Sequence, residues 1–156
     1  SFNASSKKSL QTTLPHLPIN CNLLLVHNTF AEEEDIEFAA GYSKKIKWCL
    51  CPAANKYIEK KLPDVVMMNK LVNDKITVGT DSYASNHFLS MANELNVLLE
   101  FYPALKLEDF IKWSTINGAR FLGIEEKFGS FEKGKNPGLV MLTESEKNKY
   151  VSIRID

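Results

Sequence analysis

Ile76-Thr77-Val78-Gly79-Thr80-Asp81-Ser82-Tyr83-Ala84-Ser85-Asn86 is the stretch on which the reading of this chain turns. Three β-favouring residues run into Gly-Thr-Asp and then into a polar loop. Short apolar strands that hand over to polar residues at their C-terminal ends are the pattern of parallel α/β architecture, where functional side chains sit just past the strands. Asp81 is therefore the first candidate for chemistry.

Working outward, two further strand-length apolar runs precede this one. Asn22-Leu23-Leu24-Leu25-Val26 stops at His27-Asn28-Thr29, and Ile46-Lys47-Trp48-Cys49-Leu50-Cys51 stops at Pro52, which cannot donate a ladder hydrogen bond. Between the first two lies a helix predicted over 32–42, with acidic Glu32 to Asp35 in a solvated first turn. Residues 53–63 read as a loop with a possible helical turn, and 65–72 as a helix. After Asp81, Leu89, Ala92, Leu95, Leu98 and Leu99 recur at helical spacing within 88–102, ended by Pro103. Leu107, Phe110, Ile111 and Ser114 place another helix from about Lys106, with its break at Asn117-Gly118; 119–122 resume helix before Gly123. Upstream, Ser1 to Lys8 is a polar lead-in and 9–14 a short helix stopped by Pro15 and Pro18. From Gly129 the texture turns to loop and β, with strands at 139–142 and 150–155. The order implies parallel strands joined by right-handed crossovers, then a β tail.

Bulk properties narrow the function. The chain has 156 residues, one ordinary domain's worth, and 19 basic side chains balance 19 acidic ones. That balance leaves no excess of positive charge to neutralise phosphates or to hold the chain on an anionic membrane, so neither nucleic acid nor membrane is expected as a partner. No apolar run approaches a membrane span or a signal core. Three cysteines, Cys21, Cys49 and Cys51, fit a reduced, cytoplasmic compartment better than a disulfide framework. The Cys49-x-Cys51 spacing is short for a zinc knuckle, and buried strand cysteines are the simpler reading.

Taken as residues alone, His27 and Asp81 are two ionisable side chains at strand ends that open on one sheet edge if the strands are neighbours. Each has an ordinary structural alternative: a satisfied loop histidine, and a turn or helix-cap aspartate. The motifs in series say more. Leu25-Val26-His27-Asn28, Cys51-Pro52-Ala53-Ala54-Asn55, Gly79-Thr80-Asp81-Ser82 with Ala84-Ser85-Asn86, Thr115-Ile116-Asn117-Gly118-Ala119 with Leu122-Gly123, and Gly129-Ser130 with Gly134-Lys135 stand in the order and spacing of the metal-dependent amidohydrolases. The chain resembles the C-terminal part of the chlorohydrolase, guanine deaminase and adenosine-type deaminase branch, from about His27 to Leu142.

The resemblance implies an α/β fold: the C-terminal portion of a TIM (β/α)8 barrel, strands six to eight with their helices over 1–128, followed by a β tail over 129–156 that belongs to a small sandwich. It implies Asp81 as metal ligand and proton acceptor, and His27 as a hydrogen-bond partner of the substrate or the developing tetrahedral centre. The cofactor implied is one divalent metal, zinc first and iron second, and the substrate a small molecule, an amino-substituted heterocycle that is hydrolytically deaminated. The tail departs from the family pattern, since Pro137-Gly138 stands where Ala-Asp is usual, and Ala53-Ala54 replaces Arg-Ser before Asn55.

Parts of the family pattern are missing. There is no His-x-His pair of a first strand, and His16, in a Pro-rich turn, is at the wrong address for a fifth-strand ligand. A whole barrel needs about 250 residues, so the expectation is a fragment of a larger enzyme. Asp81 alone offers too few donors to retain the metal, and the exposed sheet surfaces should self-associate or meet the remainder of the barrel. The competing reading is a catalytically inactive structural or assembly domain. His87 and Glu94 read as a loop residue beside the rim and a locally paired helix residue, Met67 and Met68 as helix core, and Trp48 and Trp113 as core packing.

Overall fold

The computed structural model describes residues 8–147 and 149–155; most of the polar lead-in lies outside the described residues. Three strands, β1 (Leu23–Val26), β2 (Ile46–Leu50) and β3 (Ile76–Val78), form one parallel sheet in that order. Leu25 pairs with Trp48, and Trp48 with Ile76. A separate antiparallel hairpin joins β4 (Leu139–Glu146) and β5 (Lys149–Ile155).

The helices are α1 (Ser9–Thr13), α2 (Glu33–Tyr42), α3 (Pro52–Ile58), α4 (Val65–Val72), α5 (Met91–Phe101), α6 (Leu107–Ser114) and α7 (Ile116–Leu122), and α2, α4, α5 and α6 pack against the parallel sheet in the main core. Strand alternation puts Ile46, Trp48, Leu50, Ile76 and Val78 on the helix side, where they meet Ile36, Val65, Met68, Leu98, Phe110 and Trp113 in a continuous core. Phe110 and Trp113 of α6 are both wholly buried, their ring centroids 5.3 Å apart; each contributes about 1.5–3 kcal/mol by leaving water. Leu24, Cys49, Cys51 and Ala54 make a second, smaller apolar cluster. Thr77, also buried, donates its hydroxyl hydrogen to the Trp48 carbonyl across the ladder.

Several boundaries differ from the sequence reading, each for a physical reason. Residues 52–58 are a full helix because Pro52 takes its first position, where the missing N–H is no loss and the fixed φ is helical. The break between α6 and α7 falls at Thr115 (φ −126°, ψ −92°), and Asn117 and Gly118 lie inside α7. Asn117 is needed there: its wholly buried amide donates to the carbonyls of Asn73 and Ile76, tying α7 to the start of β3. Gly123, at φ 68°, supplies the left-handed cap. The acidic turn of α2 is only partly solvated, since Asp35 is buried and closes a capping box by accepting from the Glu32 N–H at 3.0 Å. α5 starts at Met91 rather than 88 because the Ser90 hydroxyl caps the Asn93 N–H, leaving 86–89 to the loop after β3.

The hairpin strands run beyond the predicted stretches and expose Leu139, Val140, Met141, Val151, Ile153 and Ile155. Its tie to the helical layer is Asn96 of α5, whose amide donates to the Tyr150 carbonyl at 2.8 Å and accepts from the Tyr150 N–H at 2.7 Å. Before the hairpin, Lys135 donates to the Ser130 hydroxyl at 2.8 Å, closing the turn that the two glycine motifs flank.

Candidate active site

All three parallel strands end on one edge, and each end is built differently. The β1–β2 ladder runs one residue past β1, with the His27 N–H donating to the Cys49 carbonyl at 3.0 Å. There the chain reverses: His27 and Asn28 have φ 70° and 57°. The β2–β3 ladder continues to Gly79, whose N–H donates to the Leu50 carbonyl at 2.9 Å, and two residues later Asp81 has φ 57°. Positive φ is uncommon outside glycine and costs about 1–3 kcal/mol where the surroundings impose it. Three of the four described non-glycine residues with positive φ are thus at these two strand ends.

The reversals bring the two candidates together. His27 Nε2 lies 4.0 Å from Asp81 Oδ2, with the side chains 37% and 31% exposed, so both face solvent on the open rim. Asp81 Oδ2 also accepts from the Ser85 hydroxyl at 2.5 Å, and the Ser85 oxygen holds the loop back on itself by accepting from the Ser82 N–H at 3.3 Å. Among the described residues no hydrogen bond reaches Asp81 Oδ1, which leaves one carboxylate oxygen open to a cation. Hard or borderline divalent ions accept such a carboxylate oxygen. No group of three or more His, Cys, Asp or Glu side chains among the described residues could hold a metal ion.

Under the rim, Cys49 and Cys51 are buried free thiols. Gly79 leaves little room above them: a Cβ there would lie 3.0 Å from Cys49 Sγ and 3.7 Å from Cys51 Sγ. The contact between the thiols draws Cys49 down to about 7, helped by the Thr77 hydroxyl, and pushes Cys51 well up, with burial and the nearby carboxylates Asp81 and Glu94 adding to the rise.

Hydrogen bonds between loops set the rim's shape. Asn55 of α3, 1% exposed, donates to the Thr29 hydroxyl at 2.5 Å and so ties the end of β2 to the loop that carries His27. Glu94 of α5, wholly buried, accepts from the Ala53 N–H at 2.8 Å and from Asn86 Nδ2 at 2.6 Å. Sequence reading treated Glu94 as a locally paired residue. Its cross-loop role has no local signal beyond a carboxylate on the buried face of an amphipathic helix. Burial pushes its carboxyl above the usual range, the two donated hydrogen bonds pull it back, and the charge of Asp81 adds to the rise.

A cleft of about 640 Å³ lies beside the rim and does not include His27 or Asp81; it sits between α3, the loop after β3 and α5, lined in part by Lys56, Tyr57, His87, Phe88 and Phe101. His87 meets Tyr57 edge-on there, centroids 5.3 Å apart. Three strands cannot enclose a barrel interior, so the His27–Asp81 pair stands on an open surface whereas a groove between helices registers as a cavity.

The arrangement is thus a parallel sheet with a carboxylate and an imidazole converging past its strand ends. The model of the amidohydrolase family matches residues 5–153, and the chain belongs to that family. Among relatives, the 5-methylthioadenosine/S-adenosylhomocysteine deaminase of Teredinibacter turnerae is 31% identical over 125 residues, 75% of this chain and 27% of its own length. Imidazolonepropionase of Picrophilus torridus is 39% identical over 84 residues, 51% of this chain and 20% of that protein. Among solved structures, an adenosine deaminase from Xanthomonas campestris with bound zinc superposes with a TM-score of 0.69 at 28% identity, over 81% of this chain and 30% of that one. The chain therefore spans less than a third of these relatives and carries three parallel βα units of the family's (β/α)8 barrel, with a separate β hairpin. No described helix is long and apolar enough to cross a membrane.

Proposed function

We propose that this chain is the C-terminal part of a metal-dependent hydrolase that deaminates an amino-substituted heterocycle, with His27 and Asp81 as its contribution to the active site. The observation that carries the reading is the convergence of these two side chains, from different strands and both from positive φ, at 4.0 Å on the sheet's C-terminal edge. A purine nucleoside of the methylthioadenosine type is the substrate class, in keeping with the Teredinibacter turnerae relative, a 5-methylthioadenosine/S-adenosylhomocysteine deaminase.

In this reading the chain's residues divide the work. Asp81 Oδ1, free of hydrogen bonds among the described residues, would hold a divalent ion, zinc in first place and iron in second, which would supply a Lewis acid for activating water and polarising the substrate. Asp81 Oδ2 takes the proton from the attacking water and returns it to the departing amine, so that water and amine are exchanged for a ring carbonyl and ammonia. The Ser85 hydroxyl holds Oδ2 in place. His27 donates from Nε2 to the charge that develops at the substrate.

Asp81 alone falls short of the four donors that a zinc site takes, so the remaining ligands belong to strands outside this chain, and the 156 residues alone hold no tight catalytic metal. The division into a barrel part over 1–128 and a sandwich tail over 129–156, with a cytoplasmic location, completes the proposal. The test is ammonia release from 5-methylthioadenosine by the full-length enzyme. Asp81→Asn is expected to abolish turnover and His27→Gln to lower kcat about 10²–10⁴-fold; an Asp81→Asn enzyme with unchanged kcat refutes it.

A further inference from the structure

Glu94 is a buried carboxylate that the reaction as proposed does not use. It has no exposure, and among the described residues no lysine or arginine pairs with it. A charge in such a place is costly unless hydrogen bonds replace its water. Both its oxygens are used: Oε2 by the Ala53 N–H at the start of α3, Oε1 by Asn86 Nδ2 in the loop after β3.

The orientation of Asn86 is fixed by its own partners. Nδ2 also donates to the Thr80 carbonyl at 2.9 Å, and Oδ1 accepts from the Phe88 N–H at 3.3 Å. Both amide protons are thus committed, and Glu94 must accept at both ends. A glutamine of the same length would turn an NH2 toward either the Ala53 N–H or the Asn86 amide, donor against donor. The clamp reaches Asp81 through one peptide, because Thr80 precedes it. It joins the end of β2 to the end of β3 on the edge where Asp81 is held at φ 57°.

We infer that Glu94 is a positioning residue for Asp81: through Asn86 and the Thr80 carbonyl it fixes the loop that presents the metal-binding carboxylate, and it does so only as a two-ended acceptor. The inference rests on the role proposed for Asp81, and the two fail separately.

The experiment uses the full-length enzyme with zinc, measuring kcat and KM for 5-methylthioadenosine and zinc affinity by chelator competition for Asp81→Asn, Glu94→Gln, Asn86→Ala and the double variant. Asp81→Asn tests the reading beneath; if it leaves kcat and zinc affinity unchanged, that reading falls whatever Glu94 does. With Asp81 essential, Glu94→Gln is expected to weaken zinc binding 10–100-fold and to lower kcat with KM changed less than about threefold, as loss of a ligand's supporting shell does. Asn86→Ala, which keeps the Ala53 contact, is expected to reproduce most of the loss, and the double variant to add little. If either folded single variant loses thermal stability alone, with kcat and zinc affinity within twofold of the natural enzyme, the inference is overturned. Should Glu94→Gln fail to fold, Asn86→Ala decides by the same criterion.

Discussion

Two glycines with nearly equal φ allow the packing of the Gly129-Ser130 motif to be weighed by itself. Gly129 has φ 91° and Gly134 φ 93°, so an alanine at either meets comparable strain in φ, of order 1–2 kcal/mol. Their surroundings differ. A Cβ on Gly134 has nothing within 4 Å, whereas on Gly129 it would stand 2.9 Å from both Ala119 Cβ and Ile116 Cα of α7. One of those atoms is backbone, so relief requires the loop or the helix to move; overpacking of this kind costs about 1–3 kcal/mol more. Gly134→Ala is thus expected to destabilise by about 1–2 kcal/mol and Gly129→Ala by about 2–5 kcal/mol. At a urea slope of about 2 kcal/mol/M, the second midpoint falls roughly 0.5–1.5 M below the first. Urea unfolding of the chain and both variants, followed by the fluorescence of buried Trp48 and Trp113, gives the comparison. Equal midpoints for the two variants would refute the argument that Gly129 is required by contact with α7 and not by its φ alone.

Other outcomes follow from the same geometry. Elemental analysis of the purified 156-residue chain should find less than one tightly held transition metal per molecule; a full equivalent surviving dialysis against chelator would show that the rim holds metal without further strands. The exposed Cys21 should react with an aromatic disulfide reagent in the native chain while Cys49 and Cys51 wait for denaturant, so three thiols titrating at once would contradict the packing beneath Gly79. Tyr102, whose hydroxyl donates to the Pro63 carbonyl at 2.5 Å, is pushed up to about 12 by burial first and the Asp64 charge second. Its folded-state value lies above its unfolded one, so its contribution is whole below about pH 10 and is lost as pH rises through 12; Tyr102→Phe should flatten the stability curve in that window. The apolar hairpin face and the half-exposed Val26 of β1 should drive self-association of the isolated chain, and a concentration-independent monomer in sedimentation would count against it.

The parallel strands were legible because each is a short apolar run bounded by polar or turn-forming residues, a local property. Helices α5 and α6 declared themselves by apolar spacing alone. α3 did not: Ala53-Ala54-Asn55-Lys56 has no apolar periodicity, and only the fit of Pro52 at a first helical position reveals it. The Asn117-Gly118 pair looked like a helix end because local preference points that way, yet two carbonyls at the start of β3 hold Asn117 inside α7. Asp35 looked solvated because its neighbours are acidic, and the packing of α2 decided otherwise.

By itself the sequence determined that there are parallel βα units, that His27 and Asp81 stand at strand ends, and, through five motifs in series, which family the chain belongs to. These are statements about residue order, which the chain carries along its length. The tertiary structure alone decided that the imidazole and the carboxylate lie 4.0 Å apart, that both are reached through positive φ, and that Asn55 and Glu94 lock the three strand ends together. The Asn55–Thr29 and Glu94–Ala53 bonds join partners 26 and 41 residues apart in sequence, and no local preference encodes a contact whose two halves are set by the packing of different elements.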